Sequence, residues 1–322
     1  MNRTLAALAA LVALTACGGT DPEPASGAGR SITVDGATGE VTVPVTDSGI
    51  WALDEVTGLH LLALGVVPDA VARNPYDGDA YTEAARTILR DAGVEIVEPS
   101  NAELVAAAAP ELIIGVNFPD HVELLPELEQ IAPVLLTDDT RPWDEGLATI
   151  AAVTGHDAEA EEVTGRLREA VDETVTLVAD AGRTGDTLSV LSACGDQVCL
   201  YGSGRTVGRV LAELGFARPP GQDDAGNAWG FTLVSPETLG GHRADIVVEL
   251  SGIVTRGGDP VLEHPLLDTS GALTATADFA AWFGSDALAL TWILHDVAAI
   301  LAGQPTATRD DAGELWAEVV RT

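Results

Sequence analysis

The chain has 322 residues, of which 50 are acidic and 16 are basic, so its formal net charge is -34. Every basic residue is an arginine. A charge this negative disfavours binding to nucleic acid and adsorption to anionic lipid headgroups, and we expect neither. Hydrophobic residues make up 46% of the chain. That share excludes global disorder, and the length allows roughly two domains of about 150 residues each.

The first 16 residues have the pattern of a bacterial export signal. Arg3 precedes an apolar run over residues 5–14, which is shorter than the roughly 20 residues of a membrane-spanning helix. The sequence LTAC, which ends at Cys17, resembles a lipobox, in which the cysteine is lipidated and becomes the new N-terminus. The alternative is an ordinary signal peptide with Cys17 near the cut. We expect a lipid on Cys17, a flexible linker over 17–30 and a location on the extracytoplasmic face of the cell membrane.

Beyond the linker, strands and helices alternate over residues 31–150. A hairpin is predicted at 31–45 from its turn signals, and a helix at 51–64 from the spacing of its apolar residues. Further strands are predicted at 66–72, 94–97, 112–116 and 134–136, and helices at 81–92, 102–109 and 121–131. Short apolar strands that alternate with helices predict an α/β lobe with a mostly parallel sheet.

Apolar residues at helical spacing over 158–181 predict one long helix. Asp157 can cap its start and Gly182 can end it, and about 24 residues span roughly 36 Å. That length suits a rigid connection, at 157–182, between the first lobe and a second α/β lobe over 183–322. In the second lobe we predict strands at 188–193, 198–201 and 245–250, and helices at 206–214, 236–240, 286–301 and, in part, 260–267.

Two cysteines flank a turn signal in the sequence CGDQVC. In an exported protein this arrangement favours a disulfide between Cys194 and Cys199. A redox site of the CxxC type needs two intervening residues, and this segment has four. A metal site would need further cysteine or histidine ligands close in sequence, and none is present.

The sequence contains none of the common catalytic motifs. No GxGxxG follows a predicted strand, no phosphate-binding GxxxxGK is present, and no GxSxG is present. The six histidines do not pair as HxxxH or HExxH. We therefore expect no catalytic residues, no metal site, no cofactor and no enzymatic activity.

Many of the few aromatic residues, and several arginines, lie in loops between strands and helices. In doubly wound α/β domains such loops gather at the carboxyl ends of the strands, where ligands bind. Aromatic faces and guanidinium groups suit a planar, negatively charged ligand, although any single aromatic can instead belong to the core. The candidate ligand-binding residues are Arg73, Tyr76, Trp143, Tyr201, Arg205, Trp229 and Trp282.

Five segments resemble, in the right order, those of the extracytoplasmic binding proteins for ferric siderophores, haem and cobalamin. The first-lobe segment NAELVAAAAPELIIG and the second-lobe segment VSPETLGGHRADIVV carry most of the likeness. The segments lie at 63–68, 101–115, 130–134, 200–219 and 234–248. The resemblance extends over roughly residues 40–303, around the predicted long helix. Residues 45–49 depart from it, because VTDSG stands where the family has an apolar strand.

The resemblance implies two lobes joined by a rigid helix, with a shallow ligand cleft between them. It implies a monomer that binds a ferric siderophore and delivers it to the permease subunits of an ABC importer. By position, Glu103 and Glu237 match glutamates that pair with permease arginines in the family. They can also be ordinary acids at helix starts, where the helix dipole favours them. The alternatives for the whole chain are cobalamin or haem binding by the same fold, or an exported α/β enzyme.

Overall fold

The first half of the chain is built on an all-parallel five-stranded sheet. The computed structural model describes residues 30–74, 79–224, 226–227, 229–252, 255 and 258–321. A hairpin of β1 (Ser31–Gly36) and β2 (Gly39–Pro44) precedes the sheet, whose order is β5-β4-β3-β6-β7. Its strands are β3 (Ile50–Ala52), β4 (Ala70–Ala72), β5 (Glu95–Val97), β6 (Leu112–Val116) and β7 (Val134–Thr137). Its helices are α1 (Glu55–Ala63), α2 (Ala80–Asp91), α3 (Ala102–Ala108), α4 (Pro119–Leu128) and α5 (Trp143–Thr154).

The second half is built on a mixed sheet of order β10-β9-β8-β11-β12. Its strands are β8 (Leu188–Cys194), β9 (Gln197–Tyr201), β10 (Phe231–Val234), β11 (Ile246–Ser251) and β12 (Leu273–Asp278). Strands β8, β11 and β12 are parallel, and β9 runs antiparallel to both of its neighbours. The helices are α7 (Thr206–Glu213), α8 (Phe279–Phe283), α9 (Ala287–Leu301) and α10 (Ala312–Val320), with 3-10 turns at Pro236–Gly241, Val261–Glu263 and Arg309–Asp311.

One helix, α6 (Asp157–Asp180), connects the two halves and confirms the predicted long helix. Its buried side chains lie three or four positions apart, so they form one stripe, and the helix packs against α5 and α9. The C-terminal helix α10 packs against α2, α6 and α9. The last helix of the chain therefore contacts an element of the first half, and residues Ser31–Thr322 form one compact unit.

The segment predicted as a single helix at 51–64 is a strand followed by a helix. Ile50–Ala52 forms the central strand of the first sheet, and all three side chains are buried. A short strand buried on both faces has no alternating pattern, so its apolar residues merge into the helical spacing that follows. Asp54 then starts α1, because its Oδ1 accepts a hydrogen bond from the backbone N–H of Thr57 at 2.7 Å.

Elements α5, α8, α10, β10 and β12 are additional to the prediction. The prediction for the two cysteines is confirmed, because Cys194 and Cys199 form a disulfide that closes the β8–β9 hairpin. Among the described helices, none is both long enough and apolar enough to cross a membrane.

Candidate functional site

A cavity of about 270 Å³ lies between the two sheets and opens to solvent. Residues at or just beyond the ends of parallel strands line it: Glu55, Asn74, Phe118 and Asp139 from the first half, and Cys194, Thr255 and Phe279 from the second. The carboxyl ends of parallel strands are the usual ligand-binding edge of α/β sheets. Both sheets therefore contribute that edge to one cavity.

Aromatic rings form much of the cavity wall. The Tyr201 ring packs edge to face against Phe231, with centroids 5.7 Å apart, and Phe279 stacks on Phe283 at 5.1 Å. Trp229 also lines the cavity while 37% of its surface is exposed, so it lies on the solvent side. Such rings offer flat apolar faces to a ligand.

A buried ion pair joins the two halves across the cavity. Nη2 of Arg205, in the second half, donates to Oδ2 of Asp139, in the first half, at 2.5 Å. The two residues are 3% and 8% exposed, and Cζ of Arg205 lies 3.8 Å from the ring centroid of Phe283. Burial raises the pKa of Asp139 and lowers the pKa of Arg205, and their mutual attraction opposes both shifts. Nε of Arg205 is buried without a hydrogen-bond partner among the described residues.

A second buried ion pair lies in the first-half wall. Oε1 of Glu55 accepts from Nε of Arg86 at 2.6 Å, and Oε2 accepts from the backbone N–H of Asn74 at 2.9 Å. Arg86 also donates to Glu83 at 3.1 Å. Burial raises the pKa of Glu55, and the neighbouring guanidinium of Arg86 opposes that shift. The carboxylate of Glu55 therefore faces the cavity with its charge already paired.

Further hydrogen bonds join the first half to the second beside the cavity. Tyr81, on α2, donates from Oη to Oδ2 of Asp286 at 2.5 Å, and the backbone N–H of Ala80 donates to Oδ2 of Asp278 at 2.8 Å. Burial raises the pKa of Asp286 to about 6. Asp278 and Asp286 also cap the N-termini of α8 and α9. The same two carboxylates therefore hold the starts of these helices and link them to α2 of the first half.

Three of the seven predicted ligand-binding residues line the cavity: Tyr201, Arg205 and Trp229. Oη of Tyr201 lies 3.0 Å from Oγ of Ser192, and burial raises the pKa of Tyr201 to about 12, so its phenol is neutral. Tyr76 lies outside the described residues. Arg73 does not line the cavity: its Nη1 lies 3.2 Å from Oε1 of Glu98.

The structure places the other two predicted residues away from this cavity. Trp282 is 0% exposed, and its Nε1 donates to Oδ2 of Asp296 at 2.7 Å, so the ring belongs to the core between α8 and α9. Trp143 starts α5 and lines a separate cavity of about 350 Å³ between α5, α6 and α7. A position next to a strand-to-helix loop does not distinguish a ring that turns towards the cleft from one that turns into the core.

Several cavity residues were not among the seven candidates. Phe118 precedes α4, Phe231 begins β10 and Phe283 ends α8, and their positions at the ends of elements are the signal that would have added them. Asp139 and Glu55 had no such signal, because acidic side chains are common throughout this chain. In the described part of the chain, no group of three or more His, Cys, Asp or Glu side chains could hold a metal ion.

Two α/β halves, one long connecting helix and an aromatic cavity between the sheets define a bilobal ligand-binding protein of α/β class. A sequence profile of the periplasmic binding protein family matches residues 52–272. That match spans more than half of the chain, and the chain belongs to this family.

Individual relatives agree with this assignment. A probable siderophore-binding lipoprotein of Bacillus subtilis (strain 168) is 25% identical over 251 residues, which is 74% of this chain and 75% of the relative. The structure of the FhuD protein from S. pseudintermedius is similar with a TM-score of 0.69 at 17% identity, covering 86% of this chain and 100% of the other. The siderophore-binding protein BauB, bound to two molecules of acinetobactin and ferric iron, has a TM-score of 0.65 at 19% identity, covering 84% and 99%. At these identities the structural similarities show the fold.

Proposed function

We propose that this chain is an extracytoplasmic substrate-binding protein that delivers a ferric siderophore to an ABC importer and catalyses no reaction itself. The observation that carries the proposal is the cavity between the two sheets, whose aromatic wall suits a flat chelate. The names of the relatives support the ligand class, since one is described as siderophore-binding and another binds a siderophore complex of ferric iron. Haem and cobalamin are the competing ligands of the same fold.

A binding screen tests the ligand class directly. The purified chain is titrated with ferric hydroxamates, ferric catecholates, haem and cobalamin while its tryptophan fluorescence is followed. Saturable quenching by a ferric siderophore at low micromolar concentration or below is the expected result. Saturation only by haem or cobalamin would contradict the siderophore proposal and leave the binding-protein class in place.

Trp229→Ala is expected to weaken binding of the siderophore found in that screen about tenfold or more. Trp229 lines the cavity from its solvent side, and loss of one stacking face at about 1.4 kcal/mol corresponds to a factor of ten in Kd. Isothermal titration calorimetry measures the change without relying on the removed fluorophore. Trp316→Ala, on α10 and away from the cavity, is the matched control. Equal affinities in wild type and Trp229→Ala would place the ligand elsewhere.

The two glutamates proposed to contact the permease lie at the ligand-binding edges of the two sheets. Glu103 is exposed in the first turn of α3, which follows parallel strand β5. Glu237 is exposed in the 3-10 turn that follows β10. Strand β10 runs in the direction of β8, because Val198 of the antiparallel strand β9 pairs with both Val234 and Ala193. One carboxylate therefore lies on each side of the cleft, an arrangement that supports a docking role.

Charge reversal of these glutamates is expected to abolish uptake. Glu103→Arg and Glu237→Arg replace an attraction to permease arginines with a repulsion, while the cavity is untouched, so ligand affinity stays at the wild-type value. Uptake of radiolabelled iron chelate is measured in cells whose own copy of the gene is deleted. Glu127→Arg, an exposed glutamate in the last turn of α4, is the control and retains uptake. Normal uptake by both charge-reversed variants would mean that the two glutamates do not contact the permease and are ordinary acids at helix starts.

The lipid on Cys17 and the linker over 17–30 belong to this proposal as well. Cys17 lies outside the described residues, so its lipidation stays a prediction from the LTAC sequence. The same holds for attachment to the membrane through that lipid alone and for the monomeric state. The name of the Bacillus subtilis relative, a lipoprotein, supports the anchor and the extracytoplasmic location.

A further inference from the structure

The described residues that line the cavity include ionic groups whose charges are paired. Among the described residues that line it, Glu55, Asp139 and Arg205 are ionic. Asp139 is paired with Arg205 at 2.5 Å, and Glu55 is paired at 2.6 Å with Arg86, which lies behind it. Within these two pairs the charges sum to zero, and Glu83, which also accepts from Arg86 at 3.1 Å, adds one negative charge behind the lining. The sequence suggested Arg205 as a cation for an anionic ligand. In the structure its charge is neutralised by Asp139.

The remaining polar groups of the lining are neutral. Tyr201 keeps its proton, as its pKa of about 12 requires, and Ser192 and Ser285 contribute hydroxyls. Most of the other contact surface is aromatic or aliphatic. These groups match an uncharged ligand that presents oxygen acceptors on an apolar frame.

The charge of the whole protein acts in the same direction. With a net charge of -34, the long-range potential repels an approaching anion. A strongly anionic ligand would also lie against Asp139, and recruiting Arg205 would require separating it from that carboxylate. Both effects weaken binding of an anion and leave an uncharged ligand unaffected.

We propose that the cavity selects ferric chelates without net negative charge, namely those of the tris-hydroxamate class, over ferric tris-catecholates. This inference rests on the proposed function, because it specifies which ferric siderophores the cavity accepts. Three hydroxamate monoanions balance the charge of ferric iron and give an uncharged complex. Three catecholate dianions leave a complex with three negative charges. The paired cavity charges therefore discriminate between two chelates of similar size and the same metal.

Competition between two defined probes tests the selection. The full chain is titrated by calorimetry with ferrichrome, an uncharged ferric tris-hydroxamate, and with ferric enterobactin, a triply negative ferric tris-catecholate. We expect ferrichrome to bind at least about a hundredfold more tightly. Asp139→Asn keeps the shape of the side chain but removes the charge that neutralises Arg205. We therefore expect tighter binding of ferric enterobactin, so that the ratio of the two affinities falls to about tenfold or less. Asp180→Asn, which removes an exposed carboxylate at the end of α6, keeps the wild-type ratio.

Salt dependence gives a second measurement that needs no variant. Raising the salt concentration from about 0.05 M to 0.5 M shortens the screening length, so affinity for the catecholate rises while affinity for ferrichrome stays constant. Preference of the wild-type chain for the catecholate, or an unchanged ratio in a folded Asp139→Asn protein, would overturn the inference and leave the proposed function standing. If no ferric chelate binds while haem or cobalamin does, the proposed function itself fails.

Discussion

Arg205→Ala is expected to lower the free energy of unfolding by about 3–5 kcal/mol, the range for breaking a buried ion pair from one side. The substitution leaves Asp139 at 8% exposure without its guanidinium partner. It also removes the cation that lies 3.8 Å from the Phe283 ring centroid. Urea denaturation followed by far-UV circular dichroism gives the value. Because the pair joins the two halves of the protein, we expect weaker siderophore binding in the same variant.

A double-mutant cycle separates the pair from the packing around it. Asp139→Leu alone strands Arg205 and is also strongly destabilising, whereas the Arg205→Met, Asp139→Leu double variant removes both charges and loses less than the sum of the two single losses. Arg141→Ala provides the comparison at the surface. Its bond to Asp35 at 2.9 Å is half exposed, so its loss changes the free energy of unfolding far less than the loss of Arg205 does. Additive effects of the two single substitutions at 205 and 139 would mean that the pair is not coupled.

Trp282→Ala is expected to destabilise the protein by about 3–5 kcal/mol, the range for removing a buried aromatic ring. Trp282 is among the largest fully buried side chains, and its Nε1 donates to Asp296 at 2.7 Å. The substitution therefore leaves a cavity in the core and takes one donor from a buried carboxylate, whose other oxygen accepts from the backbone N–H of Ala307. Chemical denaturation monitored by circular dichroism measures the loss.

The controls for Trp282 come from the same residue and from the cavity. Trp282→Phe keeps one aromatic ring in the core but loses the bond to Asp296 and the volume of the second ring, so its loss of stability is smaller than that of the alanine variant. Trp229→Ala changes stability by about 1 kcal/mol or less, because the ring is 37% exposed. The two alanine variants thus have opposite expected profiles: Trp282→Ala loses stability, and Trp229→Ala loses ligand affinity. A native-like stability of Trp282→Ala would contradict the core assignment.

Local sequence patterns were sufficient to predict those elements whose own residues carry a clear signal. Strand β6 (Leu112–Val116) is an apolar run of five buried residues, and α6 has a stripe of buried side chains at helical spacing. The Cys194–Cys199 pair lies on either side of a turn, so its partners are close in sequence and its disulfide could be predicted. The central strand Ile50–Ala52 was missed, because three buried residues carry no periodicity of their own.

Aromatic residues at loops were informative as a group and ambiguous as individuals. Tyr201 and Trp229 turn into the cavity, whereas Trp282 and Trp143 pack elsewhere, although all four lie near the ends of predicted strands or helices. The direction of a ring depends on the φ and ψ of its residue and on the neighbours that fill the adjacent space. Those neighbours are distant in sequence, so the pattern of one segment cannot specify them.

The sequence by itself determined an α/β protein with two halves around a long helix and a hairpin disulfide, and it predicts an export signal with a lipobox. Each of these depends on composition, on the period of apolar residues or on residues a few positions apart. Only the tertiary structure decided that Arg205 is neutralised by Asp139, 66 positions away, and that Glu55 is neutralised by Arg86, 31 positions away. The chain has 50 acidic residues, so the sequence offers many possible partners for each arginine. Only the fold determines which carboxylate lies next to it. The charge that the cavity presents to a ligand therefore follows from long-range packing, although every residue that creates it is visible in the sequence.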